Sequence, residues 1–475
     1  MALDMTSFLL GKKQGGSSAS IQSSKSVEYT SNGNYSVEPD EGYDGIATTN
    51  VSVSVSPNLQ NKSITINENT TTTIEKDSGY DGLGQVSITT NVQPLQFKDV
   101  NFYDYDGSLV YSYTKSEFLQ LTELPANPTH DRLTAQGWNC SLSDLKTYVQ
   151  KYGGYAVGQL YTTTSGNTEI DIDIISNMSK SITLNMGGTK NWGDGTTDTN
   201  TSHTYTNEGS YTIICNGNIT GSGTLFGQDG TNTILANNGV KKIFLGSNVT
   251  TIPYRTFRWL YNLELATIPK SVLSIGEQVF GYNYNLCACI FPNTLTSATS
   301  INYFCSTCNT IKVISLPLNV TFNGANDSLY IGGNGLGTNL YEFYYPEKIS
   351  GYIPTLVNVA NVKRVVVPNT TGTHSFKWAD ADAFGGCNGI EELKILFNVS
   401  QMKYPNIATM RNLKLLDLSG NTQVPTFASG ADFYDKVPTN LKIVVPDNLY
   451  SSWASSSAWT NYLPYIIRKS DYDNL

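Results

Sequence analysis

Apolar residues recur most regularly between residues 240 and 320, where two sets repeat every 23 to 25 positions. The members of these sets are Phe257, Phe280 and Phe304, and Pro269, Pro292 and Pro317. A fixed period of this length is typical of a solenoid, because one unit cannot bury its apolar face alone and stacks on its neighbours. We therefore predict stacked coils, in which a proline ends each strand and a phenylalanine fills the core between coils.

The stretch from Ile268 to Phe280 is the clearest single unit, with Ile-Pro, Ser-Val and Ile-Gly pairs before a final phenylalanine. This order resembles the BspA-type leucine-rich repeat, and Phe384 begins a degenerate later copy. The resemblance implies a solenoid over residues 224–446 that serves binding or adhesion rather than catalysis. Because an open solenoid end exposes apolar side chains, we expect residues 447–475 to form a helical cap.

A second repeat, with a period of 37 residues, lies nearer the N-terminus. Its two copies share a turn formed by Gly42, Tyr43 and Asp44, and by Gly79, Tyr80 and Asp81. Alternating apolar and polar residues follow each turn and predict half-buried strands, so we expect two tandem β-repeat modules over residues 27–93. Glycine suits the unusual backbone angles of such a turn, and the tyrosine is expected to cover it. An aspartate there usually caps its own backbone, although calcium binding is the alternative.

Residues 94–166 mix strand and helix signals and predict a small α/β domain. Asp106 and Gly107 predict a hairpin turn between two apolar runs. One helix is expected to start at Ser116, and Ser141 is expected to cap another that runs to Tyr152. Asp104 and Asp106 could instead act as a carboxylate pair, but the hairpin is the preferred interpretation.

Residues 167–223 carry a Trp-Gly-Asp-Gly-Thr turn, then His-Thr-Tyr and Gly-Ser-Tyr strands. This order resembles the PKD-type immunoglobulin-like domain, which implies a spacer or adhesion module. In that family the residues matching Trp192, Tyr205 and Tyr211 form the core, and the one matching Asp194 ties the turn. The segment is short for such a domain, so we expect a truncated sandwich that leans on the solenoid.

The composition supports a multidomain, mainly β chain of small β-modules, an α/β domain, an immunoglobulin-like sandwich and a leucine-rich-repeat solenoid. The 475 residues exceed what one core needs, and 30 tyrosines favour pleated, turn-rich structure. A net charge of −9 without a basic stripe argues against nucleic acid as a partner. Membrane insertion is not expected, because no apolar run approaches the ~20 residues that span a bilayer.

The sequence predicts no catalytic site, metal site or cofactor. It contains three histidines and none of the common hydrolase, phosphate-loop or zinc-protease motifs. Cys305 and Cys308 have the spacing of a zinc pair, but small buried core thiols are the preferred interpretation. A glycan-cleaving acid pair stays an alternative, with candidates Asp380, Asp382, Glu391 and Glu392.

Residues 1–26 suggest an attachment segment. Phe8, Leu9 and Leu10 end a stretch that could form about two helical turns, and a Gly/Ser-rich linker follows. The two lysines follow the apolar patch rather than precede it, so the pattern is not that of a signal peptide. Seven cysteines likewise fit synthesis in a reducing cytoplasm.

The first function hypothesis is a bacteriophage virion structural protein, a tail fibre or head-attached appendage. The 37-residue repeat resembles one found in tail and capsid-appendage proteins of gut phages. We expect the N-terminus to bind other virion proteins and the solenoid to bind a host-surface glycan or protein. The chain is expected to form a homo-oligomer, with a trimer as one option. The alternatives are a bacterial surface adhesin and a glycan depolymerase.

Overall fold

The computed structural model divides the chain into two compact units, Met1–Gln96 and Phe97–Leu475. It describes residues 8–9, 21–29, 35–41, 43, 45–53, 59–66, 73–78, 80, 82–90, 95–176, 179–221, 223–226, 239–296, 299–300, 305–323, 329–330, 339–353, 356–370, 373–376, 384–402, 407, 410–427 and 437–475. Within these ranges, no helix has both the length and the apolarity needed to cross a bilayer.

The first unit consists of short strands. They are β1 (Phe8–Leu9), β2 (Ile21–Gln22), β3 (Lys25–Tyr29), β4 (Tyr35–Ser36), β5 (Gly45–Ile46), β6 (Thr48–Val53), β7 (Leu59–Ile66) and β8 (Gly82–Thr90). β1 pairs in parallel with β4, so the backbone at Phe8 and Leu9 is a strand rather than the expected helix. The four longest strands form one sheet in the order β3-β6-β8-β7.

The two copies of the 37-residue repeat share that single sheet rather than forming two separate modules. β3 pairs in parallel with β6 in the first copy, and β7 with β8 in the second. The antiparallel pair β6–β8 then joins the copies. The buried residues include equivalent pairs 37 positions apart, namely Val37 and Ile74, Ile46 and Leu83, and Val51 and Ile88. The two copies thus bury equivalent side chains in one unit.

The second unit begins with a module of residues 97–166, called here the α/β module. Its elements are β9 (Val100–Tyr103), β10 (Leu109–Tyr113), α1 (Lys115–Gln120), β11 (Leu133–Trp138), α2 (Leu142–Tyr152) and β12 (Tyr155–Thr163). The sheet order is β10-β9-β12-β11, with the expected hairpin between β9 and β10. Ser141 caps α2 by accepting a hydrogen bond from the Asp144 backbone. Helix α1 begins one residue earlier than expected, because Thr114 and Glu117 form a capping box.

The next six strands lead into the solenoid, and four of them share a sheet with its first strands. They are β13 (Thr168–Ile174), β14 (Ser181–Thr183), β15 (Lys190–Asn191), β16 (Thr197–Asp198), β17 (Ser202–Thr204) and β18 (Gly209–Cys215). β13 pairs with β18 on one side and with the first solenoid strand on the other. A six-stranded sheet therefore crosses the predicted boundary at residue 223.

The solenoid strands run from residue 240 to residue 468. They are β19 (Val240–Phe244), β20 (Thr251–Ile252), β21 (Leu265–Thr267), β22 (Ser274–Ile275), β23 (Ala288–Ile290), β24 (Thr299–Ser300), β25 (Val313–Ser315), β26 (Phe322–Asn323), β27 (Leu329–Tyr330), β28 (Glu342–Tyr344), β29 (Ile349–Ser350), β30 (Tyr352–Ile353), β31 (Leu356–Val357), β32 (Arg364–Val367), β33 (Thr373–Phe376), β34 (Glu392–Ile395), β35 (Gln401–Met402), β36 (Leu415–Asp417), β37 (Thr426–Phe427), β38 (Lys442–Val445) and β39 (Ile466–Arg468). The strand pairs between coils are parallel wherever they occur in the described part of this series, for example β28-β32-β34-β36-β38-β39. The prediction of a mainly β chain with stacked repeats is confirmed.

A column of buried side chains runs through the coils. Phe257 and Phe280 are buried and their ring centres lie 5.3 Å apart, so they stack between successive coils. Phe384, Pro269, Pro292 and Pro317 are also buried. Phe304 lies outside the described residues. Burying one such ring stabilises a fold by about 1.5–3 kcal/mol.

Cys305 takes the coil position that the spacing assigned to its neighbour Phe304. In the first two coils a left-handed residue, Trp259 or Tyr282, lies two positions after the core phenylalanine. In the third coil the left-handed residue is Thr307, two positions after the fully buried Cys305. The sequence pattern misses this one-residue shift because cysteine is also a small apolar core residue.

The C-terminal segment closes the solenoid and also extends it. It contains a 3₁₀ turn (Asp447–Leu449), α3 (Tyr450–Ala454), a second 3₁₀ segment (Ser457–Tyr465) and α4 (Lys469–Asp473). Trp453, Trp459 and Tyr462 are buried against the last coil. Strand β39 pairs in parallel with β38, so the strand ladder continues beyond the predicted limit at residue 446.

Candidate binding surface

One long side of the solenoid is already occupied by the α/β module. This strand face comprises β21, β23, β25, β28, β32 and β34. Five of its side chains join the buried core of the module, namely Ala288, Ile290, Val313, Tyr344 and Val366. Gly158 of β12 lies so close that an added Cβ would meet a methyl carbon of Ile290 at 2.4 Å. The strand face therefore packs against the chain's own module in this region.

Buried hydrogen bonds fix the module on the strand face. The Asn139 amide donates to the carbonyl oxygens of Phe291 and Ser315, at 3.2 Å each. The hydroxyl groups of Tyr148 and Tyr155 donate to the carbonyl oxygens of Tyr345 and Leu316. Solenoid carbonyls near the strand ends thus accept hydrogen bonds from buried side chains of the module.

A buried carboxylate lies at the centre of the same interface. Glu342 is 1% exposed and accepts hydrogen bonds from the Asn101 amide at 2.8 Å and the Tyr103 hydroxyl at 2.9 Å. Arg364 lies 3.5 Å from its other oxygen and donates to the Lys98 carbonyl oxygen. Burial raises the pKa of Glu342 to about 7, against the opposing effect of the Arg364 charge.

By contrast, the turns beside the core phenylalanines carry exposed side chains. This turn edge comprises residues 254–262 and 277–285. It carries the exposed Tyr254 and Tyr284, which are 38% and 39% exposed. Within the described residues, this edge forms no hydrogen bond with the α/β module.

Aromatic rings and guanidinium groups form a ladder along the turn edge. We call Arg255, Arg258, Trp259, Gln278 and Tyr282 the aromatic–arginine ladder. The Trp259 and Tyr282 ring centres lie 6.0 Å apart and their planes differ by 21°. The Arg258 guanidinium carbon lies 3.9 Å from the Trp259 ring centre and 5.1 Å from that of Tyr282. Tyr261 and Tyr284 stack beside the ladder, at 5.0 Å.

Gln278 holds both guanidinium groups of the ladder. Its side-chain oxygen accepts from Arg258 Nη1 at 2.8 Å and from Arg255 Nε at 3.1 Å. Arg258 crosses above Gly281, where an added Cβ would lie 3.5 Å from the arginine. Arg258 forms no ion pair with a described residue, and its buried Nε has no hydrogen-bond partner there. The edge therefore presents an uncompensated positive charge between aromatic rings.

The ladder residues also hold an unfavourable backbone conformation. Arg255, Trp259, Gln278 and Tyr282 have φ values of 62°, 67°, 57° and 63°. A left-handed conformation costs a side-chain-bearing residue roughly 1–2 kcal/mol. At the turn after Phe384 the equivalent residue is Gly386, with φ 74°. The fold therefore accepts glycine at this position, and the aromatic rings are not required to form the turn.

The residues predicted to form an immunoglobulin-like core do come together. Trp192 and Tyr205 are buried, and the Tyr205 hydroxyl donates to the Trp192 carbonyl oxygen at 2.8 Å. Tyr211 is half-buried against Tyr205, with ring centres 4.5 Å apart. His203 stacks on Trp192 and lies 2.7 Å from a carboxylate oxygen of Asp194. Asp194 also accepts from the Thr196 backbone, so these groups stabilise the turn.

Of the predicted turn residues of the 37-residue repeat, the structure describes Tyr43 and Tyr80, which are 39% and 38% exposed. The other predicted turn residues, Gly42, Asp44, Gly79 and Asp81, lie outside the described residues, as does Leu10. For Phe8 and Leu9 only the backbone is described.

Different aspartates stabilise the two repeat copies. Asp40 accepts from Lys25 at 2.6 Å and Asp77 accepts from Lys62 at 2.7 Å. Each aspartate also pairs with a glutamine amide, from Gln22 or Gln60. The lysine hydrogen bond is the main cause that lowers the pKa of both carboxyl groups. Sequence reasoning singled out the glycine turn and missed this repeated ion pair, although the lysines and aspartates share the 37-residue period.

The remaining chemical candidates are engaged in packing or ion pairs. His130 lies 2.6 Å from a carboxylate oxygen of the buried Asp104, whose hydrogen bond is the main cause that raises the histidine pKa. Glu391 lies between Lys363 and Lys414, and Glu392 pairs with Arg364. Asp380 and Asp382 lie outside the described residues. Asp106 accepts from the Ser108 backbone in the hairpin turn.

The cysteines are free thiols, and six of the seven are buried. Cys289 and Cys305 lie with their sulfur atoms 2.7 Å apart in the solenoid core, and Cys308 donates to the Phe280 carbonyl oxygen. Across the described ranges, no group of three or more His, Cys, Asp or Glu side chains could hold a metal ion.

The aromatic–arginine ladder was missed by sequence reasoning, although a signal for it exists. Trp259 and Tyr282 are 23 residues apart, as are Tyr261 and Tyr284. This is the interval between Phe257 and Phe280, so equivalent positions of adjacent coils carry aromatic rings. The interval does not tell which of these rings lie in the core and which lie outside.

Comparison with known proteins supports the repeat assignment in the part of the chain that carries the ladder. Residues 231–327 match the BspA type leucine rich repeat region, in six copies. Among curated proteins, none matches the chain.

Proposed function

We propose that the chain is a bacteriophage virion structural protein, a tail fibre or head-attached appendage that binds the host cell surface. The BspA-type repeats by themselves indicate a surface adhesion-type protein. The observation that carries the binding role is the partly exposed aromatic–arginine ladder on the turn edge of these repeats. Aromatic residues and arginine are enriched where proteins recognise partners, and the aromatic rings provide large contact area at low entropic cost.

The division into two compact units supports a division of labour within this proposal. The first unit, with its shared sheet, attaches to other virion proteins, and the solenoid of the second unit contacts the host. Residues 167–223 act as a PKD-like adhesion module that shares a sheet with the first solenoid strands. The free cysteines agree with synthesis in the reducing host cytoplasm before the particle is released.

Binding in this proposal is multivalent. Many copies on one particle, or a homo-oligomer such as a trimer, make the second and later contacts effectively intramolecular. A weak single site then suffices for firm attachment. Weak individual sites of this kind suit a shallow, partly exposed edge and do not require a deep pocket.

A bacterial surface adhesin is the second candidate, because the repeat match favours it equally. The two candidates differ in location. In an adhesin the chain resides in the bacterial envelope, whereas a virion protein co-purifies with particles.

The test is mass spectrometry of purified phage particles and of the envelope fraction of uninfected cells that carry the gene. The proposal expects peptides of both units in particles banded by density, at constant ratio to the major capsid protein. Detection in the envelope alone would overturn the virion assignment and favour the adhesin.

A further inference from the structure

We propose that the aromatic–arginine ladder binds a carboxylated sugar of an acidic surface polysaccharide. The inference rests on the proposed host-binding function and names the class of ligand for it. The ladder comprises Arg255, Arg258, Trp259, Gln278 and Tyr282 on two adjacent coils.

The charge of the ladder selects an anion. Arg258 forms no ion pair with a described residue, whereas Arg132 and Arg364 of the same unit each contact two or more carboxylates. The planar guanidinium group suits a carboxylate, which it can bind through two parallel hydrogen bonds. The Nε of Arg258 is buried and has no hydrogen-bond partner in the described part of the chain, so the hydrogen bonds of this guanidinium group are incompletely satisfied.

The rings of the ladder select a sugar rather than a bare anion. Trp259 with Tyr282, and Tyr261 with Tyr284, form two parallel stacks that extend along the solenoid over two coils. Trp259, Tyr261 and Tyr282 are partly exposed and Tyr284 is exposed, so some ring area is accessible beside the guanidinium groups. A pyranose ring has an apolar C–H face and polar edges, so it can contact the rings while its carboxylate reaches Arg258.

The unfavourable backbone conformation of the ladder residues supports a binding role for their rings. Trp259 and Tyr282 adopt the left-handed conformation that Gly386 adopts in the equivalent turn of another coil. Strained residues of this kind persist mainly where function requires the side chain. Replacement by glycine should therefore keep the turn and remove only the ring.

Binding of the full-length protein to three immobilised polymers tests the proposal. They are polygalacturonate, the same polymer with its carboxyl groups reduced to alcohols, and a polyglycerol phosphate. We expect binding to polygalacturonate that weakens by about tenfold or more on carboxyl reduction and decreases as salt rises. Equal binding to the reduced polymer, or tighter binding to the phosphate polymer, would overturn the carboxylate assignment.

Three variants locate the site. Arg258→Gln and Trp259→Gly are each expected to weaken polygalacturonate binding by about tenfold, the range of a single important contact. Arg468→Gln is the matched control, because that exposed arginine also stacks on a tyrosine, Tyr450, at 4.6 Å. The control should bind like wild type. Unchanged binding by Trp259→Gly, with an unchanged melting temperature, would overturn the site.

The result separates this inference from the proposed function. If the chain is found in particles but binds none of the three polymers, the acidic-sugar ligand is refuted and the virion assignment stands. A chain that binds polygalacturonate through the ladder but is absent from particles supports the ligand and refutes the virion assignment.

Discussion

The strand face and the turn edge of the same solenoid have different chemistry, although the same repeat generates both. The strand face presents small and aliphatic side chains, such as Ala288, Ile290 and Val313, and the α/β module covers it. The turn edge presents stacked aromatic rings and Arg258, which stay partly exposed. The repeat thus determines the backbone of both sides, whereas their side chains differ. One side packs against the α/β module, and the other stays partly exposed.

The largest expected effect comes from the core between these two sides. Phe280→Ala should lower the free energy of unfolding of the second unit by about 3–5 kcal/mol, because the buried ring leaves a cavity beside Phe257. Denaturant titration measures this loss. Phe97→Ala is the control, since that ring is 40% exposed and stacks on Tyr341 at the surface. Equal losses for both variants would contradict the stacked-coil core.

The next effect concerns the pH dependence of the covered strand face. Burial raises the pKa of Glu342 from 4.5 to about 7, so between these values the unfolded chain binds fewer protons than the folded chain. The contribution of Glu342 to stability is therefore most favourable below about pH 4.5 and falls by up to about 3 kcal/mol as pH rises through 7.

Glu342→Gln should remove most of this slope in urea titrations between about pH 5 and pH 8. Glu264→Gln, which removes an exposed carboxyl group 4.0 Å from Lys241, serves as the control and should keep it. If the slope survives in Glu342→Gln, the carboxylate does not lie in a dry interface.

A smaller effect tests whether the module lies directly on the strand face. Gly158→Ala places a methyl group against Ile290 and should cost about 1–3 kcal/mol, as overpacking does. In the double variant with Ile290→Ala the clash disappears, so the two losses should not add. Gly187→Ala is the control, because its nearest atom lies at an ordinary 3.4 Å. Strict additivity would show that the two residues are not in contact.

The smallest effect distinguishes the turn edge from both core and covered face. Tyr282→Gly should change the free energy of unfolding by less than about 1 kcal/mol, because relief of the left-handed strain offsets the lost ring contacts. Tyr282→Ala loses the ring but keeps the strain, so it should be less stable than the glycine variant. Thermal unfolding of the two variants side by side gives the comparison. An alanine variant as stable as the glycine variant would show that the turn is unstrained.

The coils could be predicted from sequence because each repeats the same burial at the same interval. The interval placed Phe257 and Phe280 correctly in the core. For the third coil the interval predicted Phe304, whereas Cys305 occupies the equivalent coil position. A period alone does not resolve a shift of one residue. The 37-residue repeat likewise revealed two copies, but not that both contribute strands to one sheet.

The covered strand face could not be predicted. Gly158 and Ile290 are far apart in sequence, and their contact depends on the shape of two surfaces rather than on any periodic pattern. The ladder was missed for a different reason. An aromatic residue repeated every 23 positions is consistent with the core and with an exposed stack, and only the backbone geometry at Trp259 and Tyr282 separates the two.

The turn edge is the proposed host-binding surface. Binding of labelled full-length protein to intact host cells tests this proposal most directly. The measurement compares wild type, the double variant Arg258→Gln with Trp259→Gly, and the control Arg468→Gln at matched melting temperatures. We expect the double variant to lose about tenfold or more in cell binding while the control binds like wild type. Wild-type binding by the double variant would show that the host contact lies elsewhere.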